Sequence, residues 1–306
     1  MQIISKILFP LIPLIASPVV AQTSLEVIGK PVDGKLGFQP PATELAERLF
    51  WLDDILLIIC IGIVVFVLGL LGYAIIRFNR KANPEPASFT HHTPLEIIWT
   101  VVPIIILVVI AVFSLPELFK QQKIPEGDVH IKATGYQWYW GYEYVDHGFQ
   151  FESYLIGSPA SLDEAIRPKD AEVRPYVLNN AMEEKLADYG YTKEEFLLAT
   201  DTAVVVPVNK TVVMTITGGD VIHSWTIPAF GVKQDGVPGR LAQLWFKAEK
   251  EGIYFGQCSE LCGKDHAYMP ITVKVVKDED YHEWLNNATK LYAGKDKPYR
   301  LAKAAN

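Results

Sequence analysis

Cys258-Ser259-Glu260-Leu261-Cys262-Gly263-Lys264-Asp265-His266-Ala267-Tyr268-Met269 is the densest chemistry in the chain, two thiols, an imidazole and a thioether in one loop. A second imidazole is available upstream, at His223 in Val221-Ile222-His223-Ser224-Trp225. Thiolate and thioether donors favour soft metals and imidazole suits copper as well, so this mixture reads as copper before zinc. Two cysteines with two histidines exceed the single-cysteine blue-copper set and suit a pair of bridged ions. Two bare cysteines in an exported chain would read as a disulfide. A disulfide leaves His223, His266 and Met269 unexplained, and the metal reading covers all of them. The third cysteine, Cys60, lies in an apolar run and reads as a small core residue.

Around this loop the pattern is one of short segments rich in Val, Ile, Thr and aromatics, broken by Gly and Pro, at 129–134, 137–144, 203–208, 211–217, 240–246, 252–257 and 271–276. That spacing predicts an antiparallel β-sandwich. Residues 157–200 interrupt it with a charged, helix-compatible insertion around 182–189 that carries no evident chemistry, and 279–291 reads as a terminal helix before a polar tail. Strand alternation puts Tyr136, Trp138, Trp140, Tyr142 and Tyr144 on one face, a packed aromatic core.

Upstream, 55–76 runs without a charge and 97–115 repeats the pattern, each close to the roughly 20 residues of a spanning helix. Pro103 is tolerable inside the second run, because packed membrane helices re-satisfy the freed backbone groups. Arg77, Arg80 and Lys81 lie between the runs, and Glu44, Glu47, Asp53 and Asp54 precede the first. By the positive-inside rule the connection is cytoplasmic and both ends of the chain are outside. Residues 1–21, with Lys6, an apolar stretch broken by Pro10 and Pro13, and Val19 and Ala21 at the end, read as a secretory leader. Glu96, in Pro94-Leu95-Glu96-Ile97-Ile98-Trp99, reads from its position as an interfacial or dipole-stabilised acid, and His91 and His92 as solvated polar residues. A net charge of −7 argues against a nucleic-acid partner and for a basic one.

The loop, the Val221–Trp225 segment and the run Gln137-Trp138-Tyr139-Trp140 together resemble subunit II of cytochrome c oxidase, and the stretch 79–99 resembles its alphaproteobacterial form. The resemblance implies a membrane α-helical hairpin plus an all-β, cupredoxin-like β-sandwich. It divides the chain into a leader (1–21), a periplasmic lead (22–50), a hairpin (51–118), a copper domain (119–285) with the insertion 157–200, and a tail (286–306). The implied cofactor is the dinuclear copper A centre, with Cys258 and Cys262 bridging, His223 and His266 binding one ion each, and Met269 and the Glu260 carbonyl completing the set. The Glu260 carboxylate would serve a magnesium or manganese ion shared with subunit I.

The same resemblance makes Trp138 the point where electrons enter from cytochrome c, with Glu143, Glu152, Asp201 and Asp220 as docking carboxylates steering a basic partner. It makes Glu96 the entrance of the K proton pathway into subunit I. The implied function is to accept electrons from cytochrome c and pass them to the heme of subunit I, where oxygen is reduced to water with proton pumping. Implied partners are subunit I, the other oxidase subunits and membrane lipid, in a bacterial inner membrane with the copper domain and both termini periplasmic. The chain has no Cys-x-x-Cys-His, so its electrons come from another protein. A quinol oxidase subunit would lack the copper ligands, and nitrous oxide reductase would lack the hairpin. A membrane-tethered copper-delivery protein would need neither Trp138 nor Glu96.

Overall fold

Two long helices, α1 (Glu44–Arg77) and α2 (Thr93–Gln122), precede all but one of the strands of the computed structural model, which describes residues 25–162 and 172–292. The leader expected at 1–21 lies outside the described residues. At 1.5 Å per residue the helices are about 51 and 45 Å long, against a hydrocarbon core of about 30 Å. Their apolar side chains point outward all round, Phe66, Leu68, Ile105 and Leu107 among them, as a lipid solvent demands. Cys60 is exposed on α1 rather than part of a core.

Both helices outrun the charge-free runs because polar residues cap them. Thr43 Oγ1 accepts from Ala46 N at 3.0 Å, which starts α1 inside the segment expected as the lead (22–50) rather than at residue 51, where the hairpin was expected to begin. At the other helix His92 Nδ1 accepts from Leu95 N while Glu96 Oε1 accepts from His92 N, a reciprocal cap that gives His92 a structural task. Asn79 Nδ2 donates to the carbonyls of Ile75 and Ile76 and closes α1. Trp51 meets Phe113 edge-on at 5.9 Å, and Arg48 and Lys120 pair with Glu44 and Glu117 at the outer end of the hairpin.

The remaining chain forms eleven strands among the described residues: β1 (Val27–Gly29), β2 (Val129–Tyr136), β3 (Tyr139–Tyr144), β4 (Phe149–Ser153), β5 (Val204–Pro207), β6 (Thr211–Gly218), β7 (His223–Ile227), β8 (Val232–Gly236), β9 (Ala242–Lys247), β10 (Gly252–Gln257) and β11 (Pro270–Val276). One sheet runs β1-β10-β11-β5, the second β4-β3-β2-β6-β9, and β7 and β8 form a separate ribbon. The sandwich is mixed rather than antiparallel. β2 runs parallel to β6, β5 to β11 and β1 to β10, because long connections, the insertion among them, return the chain to the same end.

Alternation works in β3, where Trp140, Tyr142 and Tyr144 are buried. Trp138 escapes it. Tyr136 pairs with Tyr139, so Gln137 and Trp138 form a two-residue hairpin turn and stand outside the strand expected at 137–144. Across the core Tyr142 Oη accepts from Trp225 Nε1, while Tyr144 Oη donates to Val205 O at 2.7 Å and accepts from Val205 N at 3.0 Å. One phenol thus satisfies both backbone groups of a residue in the opposite sheet.

The insertion supplies α3 (Asn180–Asp188), N-capped by Asn179, and a small second core. The last helix, α4 (Asp278–Tyr292), buries Tyr281, Leu285 and Ala288 against the sandwich. It agrees with the terminal helix expected at 279–291 and runs through residue 286, the bound given to the tail.

Replacing Tyr144 by Phe removes the hydroxyl and leaves the Val205 N–H and C=O unpaired in the core. The expected cost is about 1–3 kcal/mol. Chemical unfolding followed by tryptophan fluorescence measures it, and wild-type stability would rule out the inter-sheet role.

Candidate metal centre

β10 and β11 pair antiparallel up to Gln257 opposite Pro270, so the chain between them, 258–269, must leave and return at neighbouring points. Cys258 N closes the loop by donating to Met269 O at 3.3 Å. Within it the sulfurs of Cys258 and Cys262 lie 3.9 Å apart, and both thiols are free. Cys262 Sγ is 3.5 Å from His266 Nδ1 and 3.5 Å from Met269 Sδ. Cys258 Sγ is 3.3 Å from Glu260 O and 3.8 Å from Nδ1 of His223, which opens β7.

These donors suit a metal. Two metal–thiolate bonds of about 2.3 Å span up to about 4.6 Å, so sulfurs 3.9 Å apart can share an ion. The ligand atoms of His223, Cys258 and Cys262 fall within 4.8 Å of one another. Cys258, Cys262, Met269 and His223 are buried, and His266 is partly exposed at the rim. Two soft thiolates, a thioether and two imidazoles are a copper set by chemistry.

Electrostatics point the same way. Burial pushes the Cys258 thiol up, but its contact with His223 and the surrounding backbone groups outweighs this and brings it down to about 7. Burial, and then the negative charge on Cys258, push the Cys262 thiol up to about 12. Burial disfavours the His223 imidazolium, yet Cys258 and Asp220 together raise its pKa above the usual value. The site thus admits one thiolate readily and a second only beside added positive charge, which metal ions supply.

Two surrounding features hold the ligands. Asp220 Oδ1 accepts from His223 Nε2 at 2.9 Å, turning Nδ1 toward the sulfur, while its Oδ2 accepts from Gln137 N at 2.8 Å. Gly135 in β2 leaves room for the His223 ring, since a Cβ there would lie 2.6 Å from it. On the opposite side Gln137 Nε2 and Trp138 Nε1 both donate to Cys262 O, at 2.9 and 3.3 Å. Gly263 follows at φ 126°, packed against the Trp138 indole, and Lys264 Nζ lies 5.5 Å from that ring. Trp138 is therefore partly exposed and hydrogen-bonded to the backbone of a candidate ligand.

The four expected docking acids separate. Glu143, Glu152 and Asp201 line one cavity of roughly 230 Å³ on the outer face of β3 and β4, beside Lys132 and Tyr154. Asp201 is sunk deepest there: burial pushes its carboxyl up to about 6, and it accepts from Tyr154 N at 2.9 Å. Asp220 does not line that cavity and is committed to His223, Gln137 and Val221 N. Sequence reasoning missed this positioning role, although an acid three residues before a candidate ligand histidine is a usable signal. Glu260 is exposed, with its carbonyl turned to the Cys258 sulfur. Glu96 stands at the far end of the hairpin, its carboxylate used in the α2 cap.

Comparison with known proteins places these features in a family. The family described as cytochrome C oxidase subunit II, periplasmic domain, matches residues 129–276, and its transmembrane-domain counterpart matches 31–116. The chain is similar to cytochrome c oxidase subunit 2 of Cereibacter sphaeroides, 61% identical over 267 residues, covering 87% of this chain and 84% of that protein. It is similar to probable cytochrome c oxidase subunit 2 of Rickettsia felis, 44% identical over 262 residues, covering 85% and 74%. Among solved structures, the periplasmic domain of subunit II of cytochrome oxidase from Bradyrhizobium japonicum is 42% identical, covering 56% of this chain and 100% of that one, with a TM-score of 0.42.

Removing the Asp220 carboxylate should weaken metal binding while leaving every candidate ligand in place. Asp220→Ala is expected to lower copper affinity about 10- to 100-fold, the usual scale for loss of a group that orients a ligand histidine. Competition titration against a chelator measures it. Wild-type affinity would show that His223 is oriented without Asp220.

Proposed function

The chain belongs to the cytochrome c oxidase subunit II family, and from that premise we propose that it takes electrons from cytochrome c at a dinuclear copper A centre and delivers them to the heme of subunit I. The observation that carries this is the convergence of Cys258, Cys262, His266, Met269, His223 and the Glu260 carbonyl in one site. When bound, the copper pair would supply a one-electron redox centre.

The chain's own residues supply the rest. Cys258 and Cys262 would hold both ions between them, His223 and His266 would each hold one, and Met269 and the Glu260 carbonyl would complete the set. The Trp138 indole offers a path inward, because its N–H is bonded directly to the carbonyl of Cys262. Glu143, Glu152 and Asp201 present carboxylates on one face, which with a net charge of −7 steers a basic donor. The exposed Glu260 carboxylate would serve a magnesium or manganese ion shared with subunit I. Glu96, at the start of α2, would admit protons from the cytoplasmic side to subunit I for oxygen reduction and pumping. The copper domain and both termini lie on the periplasmic side of the bacterial inner membrane.

Two experiments test the reading. Cys258→Ser or Cys262→Ser in the copper-loaded chain should abolish the delocalised mixed-valence signal in absorption and electron-resonance spectra. An intact signal in either variant would defeat the bridging assignment.

Trp138→Phe should preserve copper content and cytochrome c affinity while markedly slowing electron transfer after rapid photoreduction of bound cytochrome c. A wild-type rate in the fully formed complex would remove Trp138 from the path. A parallel loss of affinity would make it a docking residue instead.

A further inference from the structure

The insertion at 157–200 has no part in the readings above, yet its described residues touch the metal loop and both of its stems. Ile156, Val173, Met182, Leu186, Tyr191 and Ala199 form a core that closes over Ile253 and Phe255, on the face of β10 turned away from the main core. Thr200 N donates to Thr272 Oγ1 on β11 at 3.1 Å. Gln257 Nε2, one residue before Cys258, donates to Leu197 O at 3.3 Å. The insertion is itself anchored to the N-terminal lead by Lys30 Nζ on Glu195 Oε1 at 2.8 Å, the Glu195 side chain being almost fully buried.

It also reaches the tip of the loop. Tyr176 stacks on Tyr268 with ring centroids 4.1 Å apart and planes 24° from parallel. Tyr268 lies between His266 and Met269, so the stacked ring presses on a segment with a candidate ligand on either side. Tyr176 does this from φ 61°, a left-handed backbone that non-glycine residues adopt at a cost.

We propose that residues 172–200 are a brace for the metal loop, and that Tyr176 is a positioning residue for His266 and Met269, acting through its stack on Tyr268. The inference rests on the copper reading given above. The brace holds both stems and the tip, so the ligands stay gathered when an ion leaves, and its main effect is on copper retention. A ring of the same shape suffices, because the contact is a stack.

The test uses the full-length chain in detergent, loaded with copper and challenged with excess chelator, while the mixed-valence absorption is followed. Tyr176→Ala should release copper on the order of tenfold faster and alter the absorption band and the copper hyperfine pattern. Tyr176→Phe should match wild type. Tyr268→Ala should have the same effect as Tyr176→Ala, with no further acceleration when the two are combined. If Tyr176→Ala does not accumulate, Tyr176→Leu, which keeps bulk but not the stacked ring, carries the same expectation. Wild-type release and spectra in the Ala or Leu variant, or additive effects in the double variant, would overturn the brace. A wild-type chain that fails to develop the two-copper signal would instead overturn the copper reading itself, an outcome distinct from the first.

Discussion

The antiparallel pairing of β10 with β11 is the constraint on which the rest of the site depends. Because Gln257 and Pro270 are opposite one another, Cys258 and Met269 must leave the sheet side by side, and the loop has to fold back on itself. That return brings Cys262 within 3.9 Å of Cys258 and 3.5 Å of both His266 and Met269. Only His223 comes from elsewhere, and it arrives on β7, whose ribbon partner β8 fixes its register. Five side chains thus meet through one local loop and one long-range contact, an economical arrangement in loop-closure entropy.

Burial and then the charge on Cys258 push the Cys262 thiol up to about 12, while contact with His223 and the backbone outweighs burial and brings Cys258 down to about 7, so the two thiols do not ionise together readily. The surrounding groups favour the first thiolate and leave the second to a bound cation. Asp220 extends this arrangement outward. Its two oxygens bind the candidate ligand His223 and the backbone of the Gln137–Trp138 turn, so imidazole and indole are referred to a single carboxylate. A charge placed there for docking alone would need neither bond.

The local parts of this protein were legible in its sequence and the non-local parts were not. The ligand loop could be read because its donors sit in one stretch, and the spanning helices because a run without charge needs no partner to be recognised. The ends of those helices were hidden, since Thr43 and the His92–Glu96 pair extend them by capping rather than by hydrophobicity. The strands 149–153 and 232–236 and the parallel pairings were hidden because partner choice depends on segments far apart in the chain. Trp138 and Trp140 share a parity in the sequence. Only the turn at Gln137 separates a partly exposed ring from a fully buried one. Asp220 and Tyr176 escaped for a related reason, since their meaning lies in what they touch.

The membrane hairpin is keyed to the metal domain by specific bonds rather than by a loose tether. Ala42 N donates to Ala229 O and Glu249 N to Ala42 O, while Thr43 Oγ1, already the cap of α1, donates to Phe230 O at 2.8 Å. Ala42, Leu45 and Ala46 are buried there. Residues 228–230 continue directly from β7, which begins at His223, so the start of α1 and a candidate ligand belong to one short mechanical unit. The other ligands are carried by β10 and β11, whose outer face the insertion covers. The site therefore rests on two supports, one referred to the membrane and one to the insertion, and the contact between His223 and Cys258 is where they join. Under the proposed function, fixing the loop relative to the start of α1 would fix its distance from an electron acceptor in the membrane, and that distance governs the rate of transfer through intervening matter.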